Sequence, residues 1–218
     1  MIHVVVDLEM NPVRQRLKEI RRQLPDEVIE IGAVKLDENF KQLGEFQRYV
    51  RPQYGKITRH INRLTGITDE LLEDKQTFEV EFQNFMDWIG SKEVMLYSWS
   101  NSDINQLKNE CAFKLDGFDV QWLETHWVDL QKEFDERIGL KNSLALNHAV
   151  GAMNKNFKGT QHTALADALN TSLILTLMQD EEAFKRTMQP IIDLVNPKRL
   201  SSSIGELYPE LAALKFDE

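Results

Sequence analysis

The feature that most constrains the fold is an apolar, β-branched run at the start of the chain, followed at once by two acids. Residues 2–6 read Ile-His-Val-Val-Val. An uninterrupted run of this kind is typical of a strand that is covered on both faces of a sheet. Asp7 and Glu9 come next, and side chains two positions apart on a strand point to the same face. We therefore predict a buried strand with two carboxylates converging at its end.

The rest of the hydrophobic pattern predicts an α/β fold, a mixed sheet with helices packed on it. Further strands are expected over residues 28–36, 46–51 and 93–99. Helical spacing predicts helices over residues 13–24, 59–64, 69–72, 78–89, 102–113, 127–137, 143–153 and 163–178. Three strands, a set of helices, one more strand and further helices indicate this architecture.

Composition fits one globular domain with a C-terminal appendage. Of the 218 residues, 42% are hydrophobic, and no apolar stretch approaches the roughly 18 residues that a membrane span needs. The start of the chain has no basic leader, and the single cysteine, Cys111, excludes an internal disulfide framework. We therefore expect a cytoplasmic protein with no membrane partner. Residues 1–179 are expected to form the main domain, and residues 180–218 an appendage of short helices.

The charge balance restricts how the chain can bind nucleic acid. A net charge of −9 argues against a protein that coats long nucleic acid by neutralising phosphates, but it permits an enzyme that grips a chain end. One dense basic run interrupts the acidic chain, and its cations are Arg14, Arg16, Lys18, Arg21 and Arg22. We expect this run to form an exposed helix or a lid.

Two further acids and a histidine stand at the ends of predicted elements. Asp103 follows a predicted strand and falls in the first turn of a helix, where the helix dipole also favours an acid. If Thr163 is the N-cap of the last long helix, His162 precedes the cap and Asp167 is the fourth helical residue, and these positions pack together. Each acid alone is explained by a solvated strand end or a helix start. The complete set indicates a site.

The set resembles the DEDDh exonucleases, also called the DnaQ-like or RNase T-like superfamily. The residues that match its three motifs are Asp7, Leu8 and Glu9, then Asp103, then His162 with Asp167. Residues 28–34 look like the family's second strand, and residues 64–68 resemble its Leu-Thr-Gly-Ile-Thr segment. Residues 127–130 and 157–159 look most like the exoribonuclease branch that trims short RNA 3′ ends. The resemblance covers residues 2–178 and implies an RNase H-like mixed sheet flanked by helices.

The resemblance also implies an activity and a set of roles. The expected reaction is metal-dependent 3′–5′ hydrolysis of single-stranded RNA, favoured over DNA, to nucleoside 5′-monophosphates. Two Mg²⁺ or Mn²⁺ ions about 3.5–4 Å apart would take part. Asp7 is expected to bridge them, with Glu9 and Asp167 on the nucleophile-side ion. Asp103 would hold the leaving-group ion. His162 is the expected general base, since imidazole titrates at about pH 6.5.

Candidates to pack the terminal nucleotide are Met10, His60, Leu64 and Trp99, although such residues are more often ordinary core. The chain departs from the family at Met10, where Thr or Ala is usual. It departs again at residues 166–168, which hold one acid where the family often has two.

Two alternatives to an exoribonuclease stay open. The first is a DNA proofreading exonuclease, which would use the same chemistry beside a polymerase. The second is a catalytically silent DEDDh-like fold that serves as a binding or regulatory module. The complete set of acids speaks against the second. The sequence does not indicate an oligomeric state.

Overall fold

The computed structural model of the protein describes residues 1–90, 93–140 and 142–195. One sheet is formed by five strands, β1 (Ile2–Pro12), β2 (Asp26–Leu36), β3 (Gln42–Tyr49), β4 (Val94–Ser98) and β5 (Trp127–Asp129). Their order is β3-β2-β1-β4-β5. β1 pairs antiparallel with β2 and parallel with β4, so the sheet is mixed, as predicted.

Helices cover both faces of the sheet. Those within the described ranges are α1 (Lys18–Gln23), α2 (Arg59–Thr65), α3 (Asp69–Leu72), α4 (Phe78–Ile89), α5 (Ser102–Lys114), α6 (Val120–Thr125), α7 (Leu130–Ile138), α8 (Leu146–Ala152), α9 (Ala164–Met178) and α10 (Glu181–Val195). None of them is both long enough and apolar enough to cross a membrane. The predicted α/β architecture is confirmed.

The opening strand is the central strand of the sheet and is buried on both faces. Val4 and Val6 pack in one core cluster with aromatic residues of α4, and Val5 packs in a second cluster with α7 and α9. β1 continues to Pro12, with a shift of register after Glu9. The two acids therefore lie within the strand, and not at its end as predicted, because β2 pairs with β1 along this whole length.

The predicted helix over residues 13–24 is wrong over its first half. Only α1 is helical, and none of its residues is buried. Val13 donates its backbone N–H to the Pro25 carbonyl at 2.9 Å, which extends the pairing of β1 with β2. Val13 and Leu24 are therefore buried as the flanks of a connection between strands, and not as positions on one helix face.

The predicted helix over residues 127–137 is wrong at its start. Residues 127–129 form β5, which pairs parallel with β4. The Trp127 indole N–H donates to the Ser98 hydroxyl at 2.9 Å and ties the side chains of the two strands together. The short helix α6, which precedes β5, has no counterpart among the predicted elements.

Residues 181–195 form one helix, where the sequence predicts several short ones. Phe184 and Met188 of α10 are fully buried in the same core cluster as Val5. Residues 196–218 of the predicted appendage lie outside the described residues. The division at residue 179 stays a prediction, although α10 packs against α7, α8 and α9.

Candidate active site

Two carboxylates of β1 face one cavity, as strand alternation predicts. Asp7 and Glu9 both line a cavity of about 440 Å³. The backbone N–H of Leu8, between them, donates to Asp103 Oδ1 at 3.0 Å. This hydrogen bond holds the first turn of α5 against β1, and it brings the third carboxylate to the same cavity.

The start of α9 supplies the histidine and the fourth carboxylate. Thr163 occupies the N-cap position with extended backbone, as predicted, but its side chain does not cap the helix. Instead Glu30 Oε2, from β2, accepts the backbone N–H of Ala164 at 3.2 Å. His162 has a φ of 63°, in the left-handed region. The turn before α9 therefore places both side chains at the cavity.

Gly32 of β2 allows α9 to lie directly on the sheet. A Cβ atom at this position would lie 2.1 Å from the Ala164 carbonyl carbon and 2.2 Å from the Leu165 nitrogen. These are backbone atoms of the first helical turn and cannot rotate away. The absence of a side chain at Gly32 therefore determines how closely Asp167 approaches β1.

The four carboxylates disfavour one another's ionised forms. Burial raises the pKa of Asp7 well above its ordinary value, and Asp103 and Asp167 raise it further. Burial, followed by Asp167 and Glu30, raises the pKa of Glu9 to about 8. Burial likewise raises the pKa of Asp103 to about 7 and that of Asp167 to about 6. Buried like charges of this kind are stabilised by bound cations.

The donor set fits divalent cations. Ligand atoms of Glu9, His162 and Asp167 all lie within 4.8 Å of one another. Asp167 Oδ1 is buried, and it accepts no hydrogen bond from the described residues. A buried carboxylate oxygen without a donor is costly unless a cation occupies its lone pairs. Hard ions such as Mg²⁺ prefer oxygen ligands of this type.

Three of the four predicted nucleotide contacts line the cavity. Met10, Leu64 and Trp99 do so, and the Trp99 indole N–H is held by the Leu144 carbonyl at 3.0 Å. His60 is exposed and is not among the residues that line the cavity, so its contact with the terminal nucleotide stays a prediction. Ile61, its neighbour on α2, lines the wall together with Leu64, three positions away on one helix face.

A family of known enzymes matches most of the chain. The family described as exonuclease, of the RNase T type, matches residues 4–175. The chain belongs to this exonuclease family. DEDDh nucleases, whose motifs the chain resembles, generally depend on divalent metal ions. The predicted DEDDh 3′–5′ exonuclease with an RNase H-like fold is thereby confirmed.

Individual relatives agree with the family. The exonuclease is 26% identical to a probable 3′–5′ exonuclease, KapD, of Bacillus subtilis, over 75% of this chain and 78% of that protein. It is also 26% identical to ERI1 exoribonuclease 2 of Mus musculus, over 86% of this chain but 31% of the mouse protein. In fold it is similar to the nuclease domain of 3′hExo, a DEDDh family member solved with rAMP. The TM-score is 0.68 at 21% identity, over 82% of this chain and 92% of that one.

Sequence reasoning missed residues that build the site without matching a motif. Glu30 is fully buried, and the available signal in the sequence was an acid inside the apolar run of residues 28–34. Asn11 is also fully buried, and its Oδ1 accepts the Thr58 backbone N–H at 2.9 Å. Thr58 is the N-cap of α2, so Asn11 attaches the wall helix of the exonuclease to β1.

The basic run of residues 14–22 lies on the connection between β1 and β2. Arg22 pairs with Glu19 at 3.0 Å, and both side chains are exposed. The Arg14 backbone N–H donates to the Tyr54 carbonyl at 3.5 Å, which places the run beside the loop that leads to α2. A role for this segment as a lid stays a prediction.

Proposed function

We propose that this exonuclease removes nucleoside 5′-monophosphates one at a time from the 3′ ends of single-stranded RNA. The observation that carries the proposal is the convergence of four carboxylates and one imidazole on a cavity with an apolar wall. The apolar wall, formed by Met10, Ile61 and Leu64, suits a nucleobase. A base-paired end would have to fray before its last nucleotide could enter.

Two Mg²⁺ or Mn²⁺ ions are the proposed cofactors, and the four carboxylates would hold them. Asp7 would bridge the ions, and Glu9 with Asp167 would complete the site nearest the attacking water. Asp103 would serve the site nearest the leaving oxygen. When bound, such ions supply a more acidic water and offset charge on the leaving oxygen.

His162 is the proposed general base. One of its ring nitrogens lies within 4.8 Å of a carboxylate oxygen of Glu9 and of Asp167, and the side chain is exposed. It accepts a proton from the water that attacks the last phosphate, as the new O–P bond forms and the P–O3′ bond breaks. Exposure lets the ring pass this proton to solvent, and such a base contributes roughly 10²–10⁴ in rate.

The preference for RNA rests on two relatives. The mouse relative is named an exoribonuclease, and the 3′hExo domain was solved with a ribonucleotide. A pocket that reads the 2′-hydroxyl would distinguish RNA from DNA. Met10, Leu64 and Trp99 are proposed to contact the terminal nucleotide. A cytoplasmic location also stays a proposal.

The decisive experiment is digestion of matched 5′-labelled RNA and DNA hairpins with 3′ overhangs, in Mg²⁺, in Mn²⁺ and in EDTA. We expect stepwise shortening that requires metal, stalls near the duplex and is faster on RNA. Faster digestion of DNA would favour the proofreading alternative. Passage through the duplex would contradict the end pocket, and the absence of any cleavage would favour a silent binding module.

A further inference from the structure

A second cavity adjoins the active site, and none of the apolar-wall residues Met10, Ile61 and Leu64 lines it. Its volume is about 340 Å³, and it shares Leu146, His162 and Asp167 with the active-site cavity. Its remaining lining includes Phe157 and Gln161, from the segment that leads into α9. The two cavities therefore meet at His162 and Asp167 and together form one groove.

Asp167 is the single acid among the described residues that line this second cavity, although the protein carries a net charge of −9. Residues 137–166 contain no Asp or Glu. Their cations are Arg137, Lys141, Lys155 and Lys158. Lys155 and Lys158 are exposed, and neither forms an ion pair with a described residue. A segment without acids does not repel the phosphates of a nucleic acid strand, and its lysines attract them.

Asn170 fixes the wall of the groove to α9. It is fully buried, its Oδ1 accepts the Lys158 backbone N–H at 3.0 Å, and its Nδ2 donates to the Lys158 carbonyl at 2.9 Å. Gly159 has a φ of 78°, and a Cβ there would lie 2.9 Å from Ala166 Cβ. The segment that carries Phe157 is thus held against α9, so the groove is formed before any ligand arrives.

We infer that this groove binds the nucleotide on the 5′ side of the cleaved phosphate. The inference rests on the proposed function, in which the last base lies against Leu64 and the cleaved phosphate lies at the carboxylates. The strand on the 5′ side of that phosphate then continues past Leu146 into the second cavity. Phe157 offers a ring on which its base can stack, and Lys155 and Lys158 neutralise phosphates further along the strand.

Two substrates distinguish an effect on binding in the groove from an effect on catalysis at the carboxylates. The first is a short single-stranded RNA, and the second is the p-nitrophenyl ester of thymidine 5′-monophosphate, which has no preceding nucleotide. The variants are Lys155→Ala with Lys158→Ala, and Phe157→Leu, which keeps an apolar side chain in a partly buried position. The control is Lys41→Ala, an exposed lysine in the turn between β2 and β3, at the other end of the sheet.

For RNA, we expect KM to rise about tenfold in the Phe157 variant, within the range for base–aromatic stacking. In the double lysine variant, the slope of log(kcat/KM) against log[salt] should fall by about 0.7 for each phosphate that the lysines no longer neutralise. Hydrolysis of the ester should match the parent in every variant.

Unchanged KM for RNA in both variants, with the ester still hydrolysed, would overturn the groove assignment. So would a rise in KM that appears only in Arg14→Ala with Arg16→Ala, because the strand would then follow the basic run. If neither substrate is cleaved, the proposed function fails. The groove is then judged by fluorescence anisotropy of labelled RNA on the same variants, where equal affinities would overturn it.

Discussion

Glu30 and Ala164 are joined by a hydrogen bond between the sheet and the first residue of α9, 134 positions apart in the chain. The other Glu30 oxygen accepts a hydrogen bond from the Gln47 side chain at 2.6 Å, so both oxygens of this buried carboxylate have a donor. A strand side chain therefore satisfies the first N–H of α9, whereas the side chain of the N-cap residue, Thr163, accepts none. It also positions the turn that presents His162 and Asp167.

Removing this cap should affect both stability and activity. We expect Glu30→Ala to lower the free energy of unfolding by about 1–3 kcal/mol, because the Ala164 N–H loses its buried partner. Turnover should fall as well, since the start of α9 is released. Urea unfolding and kinetics, both in saturating Mg²⁺, measure the two effects. Glu30→Gln keeps an acceptor oxygen and should lose less, and Gln47→Ala leaves the cap in place. Equal losses in Glu30→Ala and Glu30→Gln would contradict a capping role.

The carboxylate cluster should make stability depend on pH when metal is absent. The folded-state pKa values of Glu9, Asp103 and Asp167 are about 8, 7 and 6, whereas unfolded carboxyls titrate at about 4. Between these values the folded protein binds more protons than the unfolded chain. The free energy of unfolding should therefore fall as pH rises from about 4 to about 8.

Divalent ions should reverse this loss, because they bind the ionised cluster in the folded state only. Thermal unfolding in EDTA and in Mg²⁺, at about pH 5 and about pH 8, tests both parts. The gain in Tm from Mg²⁺ should be larger at the higher pH. A Tm in EDTA that does not change with pH would show that ionisation of the carboxylate cluster does not destabilise the folded protein.

Asp7→Asn should abolish cleavage and stabilise the metal-free protein. Asp7 would contact both ions, so neutralising it removes a ligand from each. The same change removes one of the repelling charges, so Tm in EDTA at about pH 8 should rise. Activity and thermal unfolding are measured together. Asp87→Asn, an exposed acid on α4, is the matched control and should change neither quantity. A folded Asp7→Asn protein with full activity would remove Asp7 from the site.

His162→Ala should reduce turnover by about 10²–10⁴, the usual contribution of a general base. Mn²⁺ affinity should stay nearly unchanged, which calorimetric titration can measure. Ligand atoms of His162, Glu9 and Asp167 lie within 4.8 Å of one another. A large loss of Mn²⁺ affinity with little loss of turnover would therefore make His162 a metal ligand. His60→Ala, which the structure places outside the cavity, should change neither quantity.

The site could be predicted as far as short-range geometry determines it. Alternation along β1 places Asp7 and Glu9 together, and the helix start at Thr163 places His162 near Asp167. What could not be predicted depends on contacts between distant segments. Glu30 reaches Ala164 across the sheet, and Asn11 reaches Thr58 across a loop. Neither contact leaves a periodic signal in the sequence.

The errors in the fold have related causes. Helical spacing over residues 13–24 arises because Val13 and Leu24 flank a strand connection and are buried for that reason. The strand β5 has three residues, Trp127–Asp129, which are too few to show alternation. The sequence pattern therefore does not distinguish it from the helix that follows. Ile61, which the sequence did not single out, lines the cavity in place of His60, because the rotation of α2 depends on contacts such as Asn11 with Thr58 that helical periodicity does not determine.

The close contact at Gly32 has a consequence for how the active site can move. Because the first turn of α9 packs directly on the β2 backbone at Gly32, no side chain separates the two there, and this end of the helix has little room to slide or tilt. The part of the site built from β1, β2 and α9 behaves as a fixed support. An opening that admits a strand or frees a product is therefore expected at α2, on the opposite wall of the cavity. We expect hydrogen exchange to be faster in α2 than in the first turn of α9.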